Sequence, residues 1–224
     1  MMFRDRKHAG ELLGQRLSEV IGKYNRTDDG KPLPVVVLGL PRGGVPVAKE
    51  VAKALNAPLD ILVVRKLGVP GQEELAMGAV ASGDAEFLNT NLIESLRIEQ
   101  AKVDKIRKQQ KTEIIKRERL FMRGRPHLNV AGACIVLVDD GLATGATMKA
   151  AVQALRGKNP AKIVVAVPVS PADTLREMRG MADHVICLTQ PELFYGVGGS
   201  YHVFAQTSDE EVVSILEGSI KNLI

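Results

Sequence analysis

The chain has 224 residues, of which 45% are hydrophobic and 25% are charged, and its formal net charge is +4. This length can bury one sizeable core, so we expect a single domain over residues 1–224. No apolar run is long enough to cross a bilayer, which excludes a helical membrane protein. The charged N-terminal segment lacks a signal peptide's apolar core, and Cys134 and Cys187 lie in apolar runs. We therefore expect buried free thiols in a cytoplasmic protein.

The first third of the chain predicts a helix followed by a parallel β-α-β unit. Apolar side chains recur at helical spacing over residues 5–21, which is typical of an amphipathic helix. Residues 35–40 and 59–64 are apolar runs separated by a glycine-rich turn and a helical pattern. These runs predict two strands buried on both faces, joined by a right-handed crossover. Residues 74–83 and 85–89 predict two further extended segments.

A long helical pattern follows over residues 91–119, with Asn91 and Glu94 placed as a variant of the capping box. Its apolar positions are too sparse for a core helix, so we expect a single helix that protrudes or packs on a partner. The basic helical insert, residues 91–125, carries eleven Lys or Arg and four Asp or Glu from residue 97 onward. Such a segment is either a solvated helix face or a contact for nucleic acid, an anionic metabolite or an acidic partner.

Strands and helices alternate again after the insert. The pattern predicts strands at residues 134–140, 162–169 and 184–188, with helices at 144–157 and 170–180 between them. The C-terminal part holds the aromatic and glycine-rich stretch 191–204 and then a helix with a capping box at Ser208 and Glu211. Together these elements predict an α/β fold with a parallel sheet flanked by helices.

Two adjacent carboxylates, Asp139 and Asp140, end the strand that begins at residue 134. Ligands of open parallel sheets bind beyond the carboxyl ends of the strands. The small residues that follow lead into a helix, whose N–H groups, with the hydroxyls of Thr144 and Thr147, suit a phosphate. The carboxylates must then face hydroxyl groups or a cation. A phosphorylated sugar meets both demands, whereas a phosphatase-like metal site would call for an Asp-x-Asp arrangement.

Three stretches carry a resemblance to the type I phosphoribosyltransferases. Residues 134–147, CIVLVDDGLATGAT, resemble the family's ribose-5-phosphate signature, and residues 40–48, LPRGGVPVA, resemble its pyrophosphate loop. Residues 63–68, VVRKLG, resemble the point where basic residues lead into its flexible catalytic loop. The resemblance implies the family's Rossmann-like parallel sheet, here with a long helical insert and a small C-terminal hood over residues 189–224. With that insert, the chain resembles a group of bacterial and archaeal phosphoribosyltransferase-like proteins.

The resemblance also implies roles for individual residues. Asp139 and Asp140 would bind the ribose hydroxyls and, with Arg42 and Lys66, form the catalytic set. The other residues expected to bind the substrate are Gly43, Gly44, Arg65, Gly141, Ala143, Thr144, Gly145, Ala146 and Thr147. Mg²⁺ would be held mainly by the pyrophosphate and ribose of the ligand, with the two carboxylates nearby. Residues 68–78 would form a mobile lid.

The resemblance predicts a Mg²⁺-dependent enzyme of nucleotide metabolism that transfers 5-phosphoribosyl from phosphoribosyl pyrophosphate to a nitrogenous acceptor, such as a nucleobase. Four aromatic side chains of the C-terminal stretch could either stack on that acceptor or cover the core: Phe194, Tyr195, Tyr201 and Phe204. The neighbouring His202 is a further candidate for the acceptor pocket. The alternative is a non-catalytic regulator that binds phosphoribosyl pyrophosphate or a nucleotide and contacts nucleic acid or protein through the basic helix. Nucleic acid is not the favoured partner, and we expect a homo-oligomer with no membrane contact.

Overall fold

A computed structural model describes residues 1–220, apart from the side chains of residues 74 and 220. The helices are α1 Arg6–Tyr24, α2 Gly44–Leu55, α3 Thr90–Ser95, α4 Gln100–Met122, α5 Ala146–Arg156, α6 Ala172–Arg179 and α7 Asp209–Ile220. The strands are β1 Val35–Gly39, β2 Leu59–Ile61, β3 Val64–Val69, β4 Gln72–Ala81, β5 Ala85–Leu88, β6 Cys134–Val138, β7 Lys162–Val169 and β8 His184–Thr189. A short 3₁₀ turn, Val197–Ser200, lies in the C-terminal stretch.

The central sheet has five parallel strands in the order β2-β1-β6-β7-β8. Helices α1, α2 and α7 cover one face and α5 and α6 cover the other, each over its own apolar cluster. This arrangement confirms the predicted α/β fold with a Rossmann-like parallel sheet. Strands β1 and β6 are neighbours in register, with Gly39 opposite Val138. The loops that follow these two strands therefore leave the sheet side by side.

Helix α1 packs closely on α2 because two glycines face it. A Cβ on Gly10 would stand 2.8 Å from the carbonyl oxygen of Val47, and one on Gly14 would stand 2.7 Å from Cβ of Ala54. The helix starts after Asp5, whose carboxylate accepts a hydrogen bond from the His8 N–H at 2.8 Å. The prediction of an opening helix is confirmed, and its close approach carries the first turn of α1 to the carboxyl end of the sheet.

One prediction between residues 59 and 78 was wrong in detail. The expected strand over residues 59–64 is interrupted, since β2 ends at Ile61 and Val64 already belongs to the three-stranded antiparallel sheet β3-β4-β5. The segment expected to be a lid, residues 68–78, forms the β3-β4 hairpin of this second sheet, turning at Gly71 with a φ of +79°. The extended segments predicted at 74–83 and 85–89 are confirmed as β4 and β5.

The single helix predicted over residues 91–119 was also wrong. The chain breaks between α3 and α4, where Arg97 has a φ of +50°. The cap of α3 is Asn89, whose side chain accepts from the Leu92 N–H at 3.1 Å, and not Asn91. Helix α4 does not protrude, because Val103, Ile114 and the residues at its C-terminal end are buried against β3 and α7. Four buried positions on one stripe suffice to dock a helix whose other faces stay charged.

His127, which follows α4, joins two carboxylates from different parts of the chain. Its Nδ1 lies 3.2 Å from Oδ2 of the buried Asp60 on β2, and its Nε2 lies 2.8 Å from Oε1 of Glu118 on α4. Hydrogen bonding to Asp60 is the largest cause of a raised pKa for His127, and Glu118 adds to it. The protonated imidazole therefore fastens α4 and the segment after it to the edge of the central sheet.

The substitution His127→Gln should lower the free energy of unfolding by roughly 1 kcal/mol at pH 6, with a smaller loss at pH 9. A histidine whose folded pKa is raised contributes stability that is fully present below its unfolded value of 6.5 and is lost as the pH rises through the folded value. Urea unfolding at both pH values measures the difference. The exposed His202→Gln serves as the control, and an equal loss at pH 6 and pH 9 would contradict the ionic role.

Candidate active site

Asp139 and Asp140 follow β6 directly and stand largely buried at the carboxyl end of the sheet. The backbone N–H of Asp140 donates to Oδ1 of Asp139 at 2.9 Å. Burial is the main cause that raises the pKa of both carboxyls, and the neighbouring charge of Asp140 raises that of Asp139 further. A ligand that brings hydroxyl donors or a cation would offset this cost. The structure thus places the predicted acidic pair where a ribose could be bound.

The loop after β1 lies directly against this pair. A Cβ on Gly43 would clash with Oδ2 of Asp140, and one on Gly44 would stand 2.7 Å from the carbonyl oxygen of Val138. Both glycines are therefore required by close approach of the two loops. The peptide bond between Pro41 and Arg42 is cis. The Arg42 side chain extends to α7, where its Nη1 lies 3.5 Å from Oδ1 of Asp209.

The loop after the acidic pair forms the N-terminus of α5. Gly145 precedes the helix with a φ of +70°, a conformation that favours glycine. The hydroxyl of Thr174 donates to the carbonyl oxygen of Ala143 at 2.7 Å and holds the loop on α6. The exposed residues of this turn are Ala143, Thr144, Ala146 and Thr147. Their N–H groups and hydroxyls surround the positive end of the α5 dipole, as a phosphate site requires.

Arg6 is a residue of the site that the sequence analysis did not predict. Its Nε donates to Oδ2 of Asp140 at 2.8 Å, its Nη1 donates to the carbonyl oxygen of Ala205 at 2.6 Å, and its guanidinium carbon lies 3.9 Å from the centroid of the Phe204 ring. Arg6 belongs to the first turn of α1, far from every motif in the sequence. No local pattern marks it, since its position depends on the packing of α1 on α2.

The C-terminal stretch and the N-terminus together cover the acidic pair. Phe3 pairs with Tyr201 in a parallel bridge, and its ring centroid lies 5.3 Å from that of Tyr201. Tyr201 is buried, and its hydroxyl donates to the carbonyl oxygen of Asp140 at 2.6 Å. Of the other predicted acceptor residues, Phe194 is half-buried, Tyr195 is 84% exposed and His202 is exposed. Tyr201 therefore covers the core, and the outer rings stay accessible.

Arg65 and Lys66 lie on opposite faces of β3, as neighbours in a strand must. Arg65 shares its face with the buried Leu67 and points toward α4, where it contributes, after the larger effect of Lys116, to lowering the pKa of Glu113. The structure thus places Arg65 near Glu113 of α4, and its role in substrate binding stays a prediction. Lys66 points to the other face of the hairpin.

The groups available for binding at the carboxyl end of the central sheet are carboxylate oxygens, hydroxyls and N–H donors. Among the side chains that the structure describes, no group of three or more His, Cys, Asp and Glu could hold a metal ion. No helix over residues 1–220 is long and apolar enough to cross a membrane.

Cys134 and Cys187 are both free, and burial raises the pKa of each to about 11.

Comparison with known proteins gives the same assignment along almost the whole chain. The phosphoribosyl transferase domain family matches residues 6–203. Two Mycobacterium tuberculosis proteins, from strains CDC 1551 / Oshkosh and ATCC 25618 / H37Rv, carry the provisional name phosphoribosyl transferase and are 48% identical over 216 residues. The alignment covers 96% of this chain but only 46% of either relative, so the chain spans about half of their length.

Solved structures show the same fold. A crystal structure of a protein from Thermus thermophilus is 40% identical, covers 96% of this chain and 98% of its own, and superposes with a TM-score of 0.85. A hypoxanthine-guanine phosphoribosyltransferase from Bacillus anthracis is 12% identical over 91% of this chain and 94% of its own, with a TM-score of 0.50, and is similar in fold alone. The sequence match over residues 6–203 and the site built around Asp139 and Asp140 agree: the chain belongs to the phosphoribosyl transferase family.

Proposed function

We propose that the protein transfers the 5-phosphoribosyl group of phosphoribosyl pyrophosphate to a nitrogenous acceptor and releases pyrophosphate. The observation that carries this proposal is the convergence of three loops at one edge of the sheet: the acidic pair, the glycine loop and the N-terminus of α5. Each loop suits a different part of the substrate. The carboxylates suit the ribose hydroxyls, the turn before α5 suits the 5-phosphate, and the glycine loop with Arg42 suits the pyrophosphate.

The reaction breaks the bond between C1 of the ribose and the pyrophosphate oxygen. Positive charge develops on the ribose ring and negative charge on the leaving group. The carboxylates of Asp139 and Asp140, bound to the ribose hydroxyls, stabilise the positive ring and fix its orientation. Donors of the glycine loop and the guanidinium of Arg42 stabilise the leaving pyrophosphate. The acceptor nitrogen then forms the new bond to C1, and its proton passes to solvent.

Mg²⁺ is the metal that this donor set fits. Two adjacent buried carboxylates with raised pKa values carry charge that a cation would offset. Mg²⁺ commonly takes one or two carboxylates and completes its shell with substrate phosphates and water, so a site without a third acidic ligand is adequate. When bound, Mg²⁺ would neutralise charge on the pyrophosphate. Asp139 and Asp140 are the residues placed to lie near it.

A planar nucleobase is our candidate acceptor. Tyr195 is 84% exposed, and Phe204 is 37% exposed and stacks on Arg6, which donates to Asp140. Exposed aromatic rings beside a ribose site offer stacking surfaces for a flat heterocycle. The C-terminal stretch would therefore act as the hood of the acceptor.

The test is release of pyrophosphate from phosphoribosyl pyrophosphate and Mg²⁺, with and without a panel of purines, pyrimidines and smaller nitrogen heterocycles. Release that depends on one acceptor would establish the transferase and identify its substrate. Tight calorimetric binding without release from any mixture would favour the alternative, a regulator acting through α4. The outward face of α4 retains the exposed cations Lys105, Lys108 and Arg119 for such a contact.

The substitution Arg42→Ala should slow turnover by about a hundredfold, while the affinity for a nucleoside 5-monophosphate falls less than about threefold. A monophosphate has no pyrophosphate, so it does not use the guanidinium. Steady-state kinetics and calorimetry measure the two quantities. Asp209→Asn is the matched control, because it removes the ionic partner of Arg42 on α7 and leaves the guanidinium in place. Equal losses of turnover and monophosphate affinity would mean that Arg42 is structural.

A further inference from the structure

Arg6 is a mostly buried cation at the centre of the proposed site, where no motif accounts for it. Its side chain is 13% exposed, and it contacts Asp140, the backbone of Ala205 and the ring of Phe204. A charge kept out of water in this way is costly unless it is hydrogen-bonded. Its two hydrogen bonds within the protein, to Oδ2 of Asp140 and to the carbonyl oxygen of Ala205, use two of its N–H donors. The side chain therefore offers more donors than its contacts within the protein use.

The guanidinium of Arg6 has more N–H donors than its hydrogen bonds use. A guanidinium has five N–H donors in a planar fork. Within the part of the chain that the structure describes, hydrogen bonds from Arg6 reach Oδ2 of Asp140 and the carbonyl oxygen of Ala205. These two bonds leave three of the five N–H donors unused. Stacking on Phe204 fixes the plane of the guanidinium, so these donors keep a defined direction.

The guanidinium also lies against the glycine loop. A Cβ built on Gly43 would stand 3.2 Å from Nε of Arg6, in addition to its clash with the Asp140 carboxylate. Gly43 follows Arg42 in the loop that the proposed function assigns to the pyrophosphate. An anion seated on the backbone of this loop would therefore lie within reach of Arg6 as well as of Arg42. Planar donor forks match phosphate oxygens, which is why arginine is common at phosphate sites.

We propose that Arg6, from the first turn of α1, binds the pyrophosphate of phosphoribosyl pyrophosphate while its Nε stays on Asp140. This inference rests on the proposed function. It makes the N-terminal helix part of the substrate site and links recognition of the ribose to recognition of the leaving group. The backbone of Asp140 would stay in place without Arg6, because its N–H donates to the Asp139 carboxylate and its carbonyl oxygen accepts from the Tyr201 hydroxyl. Loss of Arg6 should thus affect the pyrophosphate end of the ligand selectively.

Calorimetric titration of Arg6→Met with three probes tests this selectivity: inorganic pyrophosphate with Mg²⁺, phosphoribosyl pyrophosphate with Mg²⁺, and ribose 5-phosphate. We expect affinity for the first two to fall about tenfold or more and affinity for ribose 5-phosphate to fall less than about threefold. Arg16→Met is the matched control, since Arg16 lies on the same helix and pairs with the exposed Glu19. It should bind all three probes as the wild type does.

Arg6→Lys keeps the proposal testable if Arg6→Met does not fold, and it should show the same selectivity with a smaller loss. Equal losses for all three probes, or none, would overturn the role of Arg6. Failure of the proposed function would give a different set of binding and turnover results. Wild-type protein that binds neither phosphoribosyl pyrophosphate nor ribose 5-phosphate would refute both proposals, whereas acceptor-dependent pyrophosphate release with normal binding by the Arg6 variants would refute this inference alone.

Discussion

The double substitution Asp139→Asn with Asp140→Asn is expected to reduce affinity for ribose 5-phosphate by about a hundredfold or more. Each carboxylate would accept a hydrogen bond from a ribose hydroxyl, and hydrogen bonds to charged groups contribute about 1.5–3 kcal/mol each. Asparagine keeps the shape of the side chain and replaces the anion with a weaker acceptor. Two such losses correspond to about 3 kcal/mol, which is a hundredfold change in affinity.

The same variant should remain folded. Burial raises the pKa of both carboxyls, and the charge of Asp140 raises that of Asp139 further, so their ionised forms destabilise the native state at neutral pH. Asparagine removes that cost, and its side-chain oxygen can still accept the hydrogen bond from Arg6. The free energy of unfolding at pH 7 should thus be unchanged or higher.

The chain contains a matched control for this experiment. Asp28 and Asp29 form a second adjacent acidic pair, in the exposed turn after α1, where Asp29 pairs with Lys31. Changing both to asparagine alters the net charge equally and should leave ligand affinity unchanged. Calorimetry gives the affinities, and thermal unfolding shows whether each variant is folded. Unchanged binding by the Asp139 and Asp140 variant would remove the central assignment of the site.

The parts of the site that the sequence predicts are those carried by one continuous stretch. The acidic pair and the turn before α5 belong to a single strand-loop-helix segment, and the glycine loop belongs to another. Residues within such a segment are close in space because they are close in sequence, independently of the tertiary contacts. Parallel pairing of β1 with β6, which the sequence analysis did not predict, then brings the two loops together.

The parts that sequence reasoning missed depend on contacts between distant segments. Arg6 lies 134 positions before Asp140, and its place in the site follows from the helix contact made by Gly10 and Gly14. The break before α4 is a backbone effect at Arg97, a residue type with no special preference for positive φ. Burial of α4 was missed because its few apolar residues dock on a second, antiparallel sheet. The local pattern of apolar residues does not predict burial against a surface that a distant part of the chain forms.

The substitution Gly44→Ala is expected to destabilise the protein by about 1–3 kcal/mol and to reduce turnover about a hundredfold. The new Cβ would stand 2.7 Å from the carbonyl oxygen of Val138 and 2.9 Å from Cα of Asp139. Both contacts are to backbone at the end of a central strand, which cannot rotate away as a side chain could. The start of α2 must therefore lift from the sheet and carry the glycine loop away from the acidic pair.

Gly22→Ala provides the opposite expectation within the same protein. Gly22 lies in α1, and a Cβ there would have no atom within 4 Å, so alanine should stabilise the helix by up to about 1 kcal/mol and leave turnover unchanged. Urea unfolding and pyrophosphate release measure both variants, with circular dichroism showing the folded fraction at the assay temperature. A folded but inactive Gly44→Ala protein would show that contact between the two loops is required for turnover. Wild-type stability and turnover in that variant would mean that the loops can separate without loss, and the site would then have to be assigned elsewhere.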